Sequence, residues 1–413
     1  MSAPDLDKTS PESAPESERP AALSRVRGWL ARRRHWLFTT AVVGSGFAAS
    51  YTSVLQNQAL YAPDTRYYAA MALRFGGADK QSAAEQVTRY TDASGWVTPP
   101  VDQLFGWGLV QPRVVYPALS VPFVKLFGID GMAVVPALAM AALVVLLTVT
   151  LRARYGWAAA LGVVLLVVAS PQLMFYGSAM LTESLTAVWC ALLLIAVWRY
   201  QRSPRPLLIG AMVGLTTVMA FTRQSTLIPA AALAVAWIGA AILRDHPRRW
   251  AMPAVTVVAT TVVAQVAQTL VFPTFSQLNQ FLIKTGTKNL RDALMASPRL
   301  AWKILNADAT FLMHYDHALL ILIVLSIVAV CVLWRHSESH LLIGAFLGVT
   351  VYNVTNGTPT VFRYAMPGLV FYAIAVGALV SRAAHAERTI GDEAPDVEVR
   401  PSRLPDPGTP TAA

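Results

Sequence analysis

The sequence predicts an all-α fold: a polytopic transmembrane helical bundle of about ten spans, at roughly 20 residues per crossing, in which two long segments between spans carry short helices of their own. Three observations predict it. Of the 413 residues, 55% are hydrophobic and only 14% charged, where a soluble domain carries about 25% charged residues. The apolar residues come in runs long enough to cross a bilayer core. The basic residues collect in the short connections between those runs. Lipid offers no partner to backbone N–H and C=O groups, so a run of that length in lipid has to be helical.

In chain order, residues 1–24 are rich in Ser, Pro, Glu and Asp and are expected to be unstructured; with the basic stretch after them they make a cytoplasmic N-terminus, residues 1–35. The first apolar run starts near Trp36, behind Arg32, Arg33 and Arg34, which suits a retained anchor better than a cleaved signal. A transmembrane domain over 36–382 then has expected spans at 36–55, 131–151, 157–173, 182–198, 206–221, 227–243, 251–271, 317–334, 340–355 and 364–382. The stretch 114–127 is apolar but contains Pro117 and Pro122, and is expected to be re-entrant or interfacial. Segments 56–113 and 272–316 are too long for bare connections. The first contains ADKQSAAEQVTRYT, suited to a short helix, and the second SQLNQFLIKTGTKNLRDALMASPRLAWKIL, whose apolar spacing suits an amphipathic helix along the membrane interface. Residues 383–413 are expected to form an unstructured cytoplasmic tail.

Orientation follows from the short loops. With the N-terminus inside, the inner loops hold Arg152, Arg154, Arg199, Arg202, Arg205, Arg244, Arg248, Arg249 and Arg335, and the outer ones only Arg223 and Arg363. A ratio of about nine to two places both termini in the cytoplasm and the two long segments outside. The same distribution accounts for the net charge of +10, so nucleic acid is excluded as a partner in this reading. Cys190 and Cys331 both lie inside apolar runs, which rules out a disulfide framework or a metal knuckle built from them.

Charged groups at or near membrane depth need a partner or a role. Asp64, in YAPDTRYYAAMALRF beside Tyr61, Tyr67 and Tyr68, can serve as the N-cap of the helix that follows or as a functional carboxylate. Glu183, at the outer mouth of the fourth expected span, can be an acid favoured by the helix dipole, behind a cap at Ser178 or Thr182. Arg223 and Arg363 fall at outer mouths as well, so three isolated charges converge on one membrane face and point to ion pairing or a bound anion. Lys284, Lys288 and Arg291 add either a basic rim or a solvated face against anionic headgroups.

Several stretches in this order resemble the GT-C superfamily, the multi-spanning glycosyltransferases that use polyprenyl-phosphate sugar donors. They are APDTRYYAAMA around Asp64, RVVYPALSVPFVKLFG from Arg113 to Gly128, the segment around Leu181, Thr182 and Glu183, TRQSTLIP from Arg223 to Pro229, and FRYAMPGL from Phe362 to Leu369. The resemblance covers residues 36–382. It implies Asp64 as catalytic base, and Arg223 or Arg363, with Arg113 or Lys284 as substitutes, as the cations that stabilise the leaving phosphate. Glu183, Tyr67 and Tyr68 are candidate substrate contacts, and inversion at the transferred carbon is implied.

The implied partners are a polyprenyl-phosphate sugar donor, a glycan, lipid or protein acceptor, and membrane lipids; the implied location is the inner (plasma) membrane. Two departures bear on the resemblance: Asp64 is followed by Thr65 where many members have a second acid, and the large C-terminal domain of some members is not expected here. The Ala, Val, Arg and Pro content suits a GC-rich bacterial genome, hence cell-envelope synthesis. No cofactor is firmly implied, and a divalent metal stays open although no Asp-rich or His/Asp/Glu ligand cluster appears in the outer segments. Two alternatives are a transporter or lipid flippase, against which the sparse midplane (Gln265, Gln268, Tyr352, Asn353) argues, and a non-catalytic membrane partner on the same scaffold.

Overall fold

A computed structural model describes residues 19–92 and 95–392; the remainder of the two expected unstructured tails, 1–18 and 393–413, lies outside the described residues. Helix α1 runs Arg19–Asn57, so it begins within the segment read as unstructured. The first long connection folds into α2 (Thr65–Phe75), α3 (Lys80–Asp92) and α4 (Val101–Gly106). The helix expected in ADKQSAAEQVTRYT is α3. Next come α5 (Val115–Phe127), a 3₁₀ turn over Gly128–Ala133, α6 (Val134–Tyr155), α7 (Trp157–Ala169) and α8 (Pro171–Ser178). They are followed by α9 (Glu183–Arg202), α10 (Pro206–Thr222), α11 (Leu227–Ile242) and α12 (Pro247–Val271). The second long connection holds α13 (Gln277–Thr285) and α14 (Leu290–Tyr315), and the chain closes with α15 (His317–Val332), α16 (Ser337–Asn356), a 3₁₀ turn Met366–Gly368 and α17 (Leu369–Asp392). Among the described residues there is no strand.

The fold is thus an all-helical bundle with membrane-type helices, and the expected spans fall on helical segments, 157–173 on two of them, α7 and α8. The number that qualify as crossings is smaller than ten. Among the described residues four stretches are long and apolar enough, Val115–Tyr155, Glu183–Arg202, Pro247–Val271 and Met366–Ala384, or five if α7 and α8, bent by 73° at Ser170, count as one broken span. Helices α10, α11 and α15 are apolar but shorter, at 17, 16 and 16 residues. Sixteen residues rise only about 24 Å, short of the roughly 30 Å of hydrocarbon. The expected runs 206–221 and 227–243 are themselves at the short limit, and α10 and α11 follow them to within a residue. The proline-containing stretch 114–127, expected to be re-entrant or interfacial, is helical as α5, and at Gly128, with positive φ, the chain turns sharply enough to set Gly131 against the Phe123 carbonyl before α6 begins. Pro117 sits in the first turn of α5, where a missing N–H costs little.

Burial sorts the helices. The most apolar window of α9 is 72% buried and that of α12 only 33%, so α9 is the central post and α12 a peripheral helix. The exposed side chains of α12, Val255, Val262, Val263, Val266 and Leu270 among them, are apolar as lipid contact requires. Helices α11 and α16 approach most closely, and the reason is local sequence. Gly344 and Gly348 are one turn apart on α16, and a Cβ at Gly348 would lie 2.8 Å from the Cα of Ile228 on α11. This is small-residue packing of the kind that brings membrane helices into backbone contact.

Asp316 ties two further helix starts together. Its carboxylate accepts from Leu319 N (2.9 Å) at the head of α15, and from Ser170 Oγ (2.6 Å) and Gln172 N (3.0 Å) at the head of α8. Ser170 in turn caps α8 by accepting from Leu173 N at 3.1 Å. Asp316 is only 1% exposed.

Candidate functional site: a buried charge cluster at one end of the bundle

The C-terminal ends of α1, α10 and α16 and the N-terminal ends of α9 and α17 meet at one end of the bundle. The loop before α2 is stitched to the turn before α9. Met180 N donates to Leu60 O (2.9 Å), Thr65 Oγ1 donates to Met180 O (3.1 Å), and Ala62 N donates to Thr65 Oγ1 (3.0 Å). Thr65 is fully buried. These bonds carry Asp64 to the neighbourhood of Glu183, which is more than a hundred residues away in sequence.

Asp64 occupies the N-cap position of α2 but makes no side-chain cap bond, so the capping reading fails. Its Oδ2 accepts instead from Arg363 Nη2 at 2.6 Å, with Arg113 Nη1 4.0 Å away. Burial alone would raise this carboxyl, but the guanidinium groups of Arg363, Arg113 and Arg223 overcome that and hold it below the ordinary aspartate value. Glu183, first residue of α9, accepts through Oε1 from Arg223 Nη1 (2.8 Å) and from Arg363 Nε. It does not merely answer a helix dipole, and neither Ser178 nor Thr182 caps the helix. Thr182 Oγ1 accepts from Arg223 Nη1 at 3.1 Å, while Ser178 Oγ is buried without a partner among the described residues.

Arg223 is almost wholly enclosed. Its Nε donates to Tyr352 Oη (3.1 Å), and its guanidinium lies 5.0 Å from the Tyr364 ring centre. The close contact of α16 with α11 sets this up, because α11 begins just after Arg223 and Tyr352 is one turn beyond Gly348. Arg113, at the head of α5, donates from Nη1 to Tyr68 Oη and from Nε to Gln224 Oε1, both at 2.9 Å. Side-chain exposure falls from 17% at Asp64 and 14% at Arg363 to 1% at Arg223 and 0% at Glu183, so the first pair forms the mouth and the second the floor. Three guanidinium groups face two carboxylates, which leaves one positive charge in excess. Glu183 Oε2 and Gln224 Nε2 are buried without a protein partner among the described residues.

The structure therefore brings together Asp64, Glu183, Arg113, Arg223 and Arg363, with Tyr68 holding Arg113 in place. It leaves two sequence candidates outside. Tyr67, next to Tyr68 on α2, points elsewhere and packs on Trp107 with ring centres 4.4 Å apart. Lys284, on α13, packs its aliphatic stem against Gly357 and makes no ion pair with the cluster. Lys288 and Arg291 are exposed. Thr65, Gln224 and Tyr364 were not singled out from sequence, although all three lie inside the quoted stretches. Among the described residues no group of three or more His, Cys, Asp or Glu side chains could hold a metal ion. No family model, no curated protein and no solved structure matches this chain.

Proposed function

We propose that this chain is a membrane glycosyltransferase that moves a sugar from a polyprenyl-phosphate donor to a cell-envelope acceptor on the extracytoplasmic face, with the charge cluster as its active site. The excess positive charge in the cluster carries the reading. A positive charge this dry is costly unless an anion shares it, and guanidinium forks match phosphate oxygens. Arg363 and Arg113, nearer the mouth, would take the donor phosphate, and Arg223 would hold Glu183 in place behind them.

The bond between the acceptor oxygen and the sugar anomeric carbon forms as the carbon–oxygen bond to phosphate breaks. The acceptor proton passes to Asp64, and polyprenyl phosphate leaves with the bonding pair, its charge held by the arginines. Asp64 paired to Arg363 is a weak base. A phosphate that draws Arg363 toward itself weakens that pair, so donor binding would raise the proton affinity of Asp64 at the step that needs it.

The same ion pair favours a second reading, a non-catalytic partner that binds lipid phosphate without turnover. Purified protein in nanodiscs, offered a panel of radiolabelled polyprenyl-phosphate sugars and envelope glycans, separates the two. Transfer by the wild type and none by a folded Asp64→Asn variant is the expected result. Full transfer by Asp64→Asn would remove the base from the mechanism, and lipid-phosphate binding with no transfer would establish the partner reading.

A further inference from the structure

We propose that Asp308 is a positioning residue: from α14 it holds the left-handed turn at Val361 and Phe362 and so aims Arg363 into the charge cluster. Two successive non-glycine residues have positive φ, Val361 at 47° and Phe362 at 69°. L side chains rarely adopt that region, β-branched ones least of all, so something outside the turn has to enforce it. The Asp308 carboxylate does. Its Oδ1 accepts from Val361 N at 2.9 Å, in the middle of the turn. A carboxylate oxygen that takes the amide of the first left-handed residue makes a charge-assisted bond, stronger than one to a neutral acceptor.

The turn closes on itself through Arg363 N to Thr360 O (3.1 Å), and Phe362 is buried with its ring centre 5.1 Å from that of Tyr372. From this fixed backbone the Arg363 side chain reaches Asp64 and Glu183 together. Asp308 lies on the inward stripe of α14, between Ile304 and Leu312, which are 1% and 5% exposed. An acid four residues from each of two buried aliphatics is out of place as mere surface. Elsewhere on its surface α14 exposes Leu294, Trp302 and Leu305. The clamp stands on its own geometry; its consequence for substrate rests on the glycosyltransferase reading.

The test uses Asp308→Ala and the shape-preserving Asp308→Asn, each alone and with Val361→Gly, in the full chain. Hydrogen exchange at the amides of Thr360, Val361 and Phe362 should quicken ~10-fold or more in the single variants, while α16 amides stay unchanged. Affinity for farnesyl phosphate, a short polyprenyl phosphate, should fall ~10- to 100-fold, the range for losing a charge-assisted hydrogen bond. Val361→Gly should restore most of it, because glycine adopts the left-handed turn without help. A merely structural role for Asp308 would lower thermal stability but would give no rescue by a glycine on another element. Unchanged exchange at 360–362, or no rescue, overturns the proposal. If the wild type binds no farnesyl phosphate, the glycosyltransferase reading falls, and the exchange result still decides the clamp.

Discussion

Replacing Glu183 by Gln keeps the shape of the floor of the cluster and removes one negative charge. The wild type holds one excess positive charge; the variant holds two, with Arg223 at 1% exposure and its carboxylate partner gone. Removing one member of a buried, hydrogen-bonded pair costs about 3–5 kcal/mol. At about 2 °C per kcal/mol, the lower end for larger domains, the expected fall in Tm is roughly 6–10 °C. Arg223→Gln should cost less, because Arg363 still engages Glu183 and the charges then balance. The double variant returns the excess to one, so its loss should be smaller than the sum of the singles by at least about 1 kcal/mol. Scanning fluorimetry of the four proteins in one detergent reads all these quantities. A Glu183→Gln protein within about 1 °C of the wild type, or a strictly additive double variant, would refute the claim that these charges share one dry pocket.

Placing a side chain between α11 and α16 should disturb the site without touching it. Gly348→Leu drives atoms into the backbone of Ile228, which should cost about 1–3 kcal/mol or more. Because it moves Tyr352 off Arg223, farnesyl-phosphate affinity should fall with Tm, whereas Gly162→Leu, where a Cβ meets open space, should change neither. Asp316→Ala removes the acceptor at two helix starts and should lower stability by about 2–4 kcal/mol, roughly 1–2 per cap, as read by thermal unfolding; a loss confined to one cap's worth would mean that only α15 depends on it. The pH dependence of Tm should carry opposite signatures from Asp64 and Asp308. Asp64 is held low, so its contribution is complete above the ordinary aspartate value of about 3.9 and is lost only as pH falls through its lower folded value. Burial raises Asp308, so the folded state binds more protons above about 3.9, and stability declines as pH rises to its folded value. Asp308→Asn should abolish that decline; an unchanged slope would contradict it.

The helical membrane character of this chain was legible because it depends on composition and run length alone. The expected spans fell on helical segments for the reason that backbone polar groups in lipid have no other partner. Span number was less legible. The runs on α10 and α11 were already short of a full crossing, and both helices match them to within a residue. The bend at Ser170 and the turn at Gly128 between α5 and α6 depend on caps and packing that no run of residues displays.

At the site, the charges at the ends of apolar runs stood out because isolated acids and arginines in an apolar sequence are conspicuous. Their roles did not. By itself Asp64 looks like a helix cap, and only the bonds among Leu60, Thr65 and Met180 reveal that its carboxylate faces Arg363 instead of its own helix. Asp308 was invisible because its partner is a backbone amide on another segment, and Asp316, a local cap to Leu319 N, gave no sign that it also holds Ser170 and Gln172. Sequence alone determined that this protein is helical, apolar and marked by a few costly charges, since those properties follow from transfer free energies residue by residue. Which charges neutralise one another, and which backbone is forced left-handed to let them meet, the tertiary structure alone decided, because Coulomb attraction and hydrogen bonding depend on distance in space and take no account of separation along the chain.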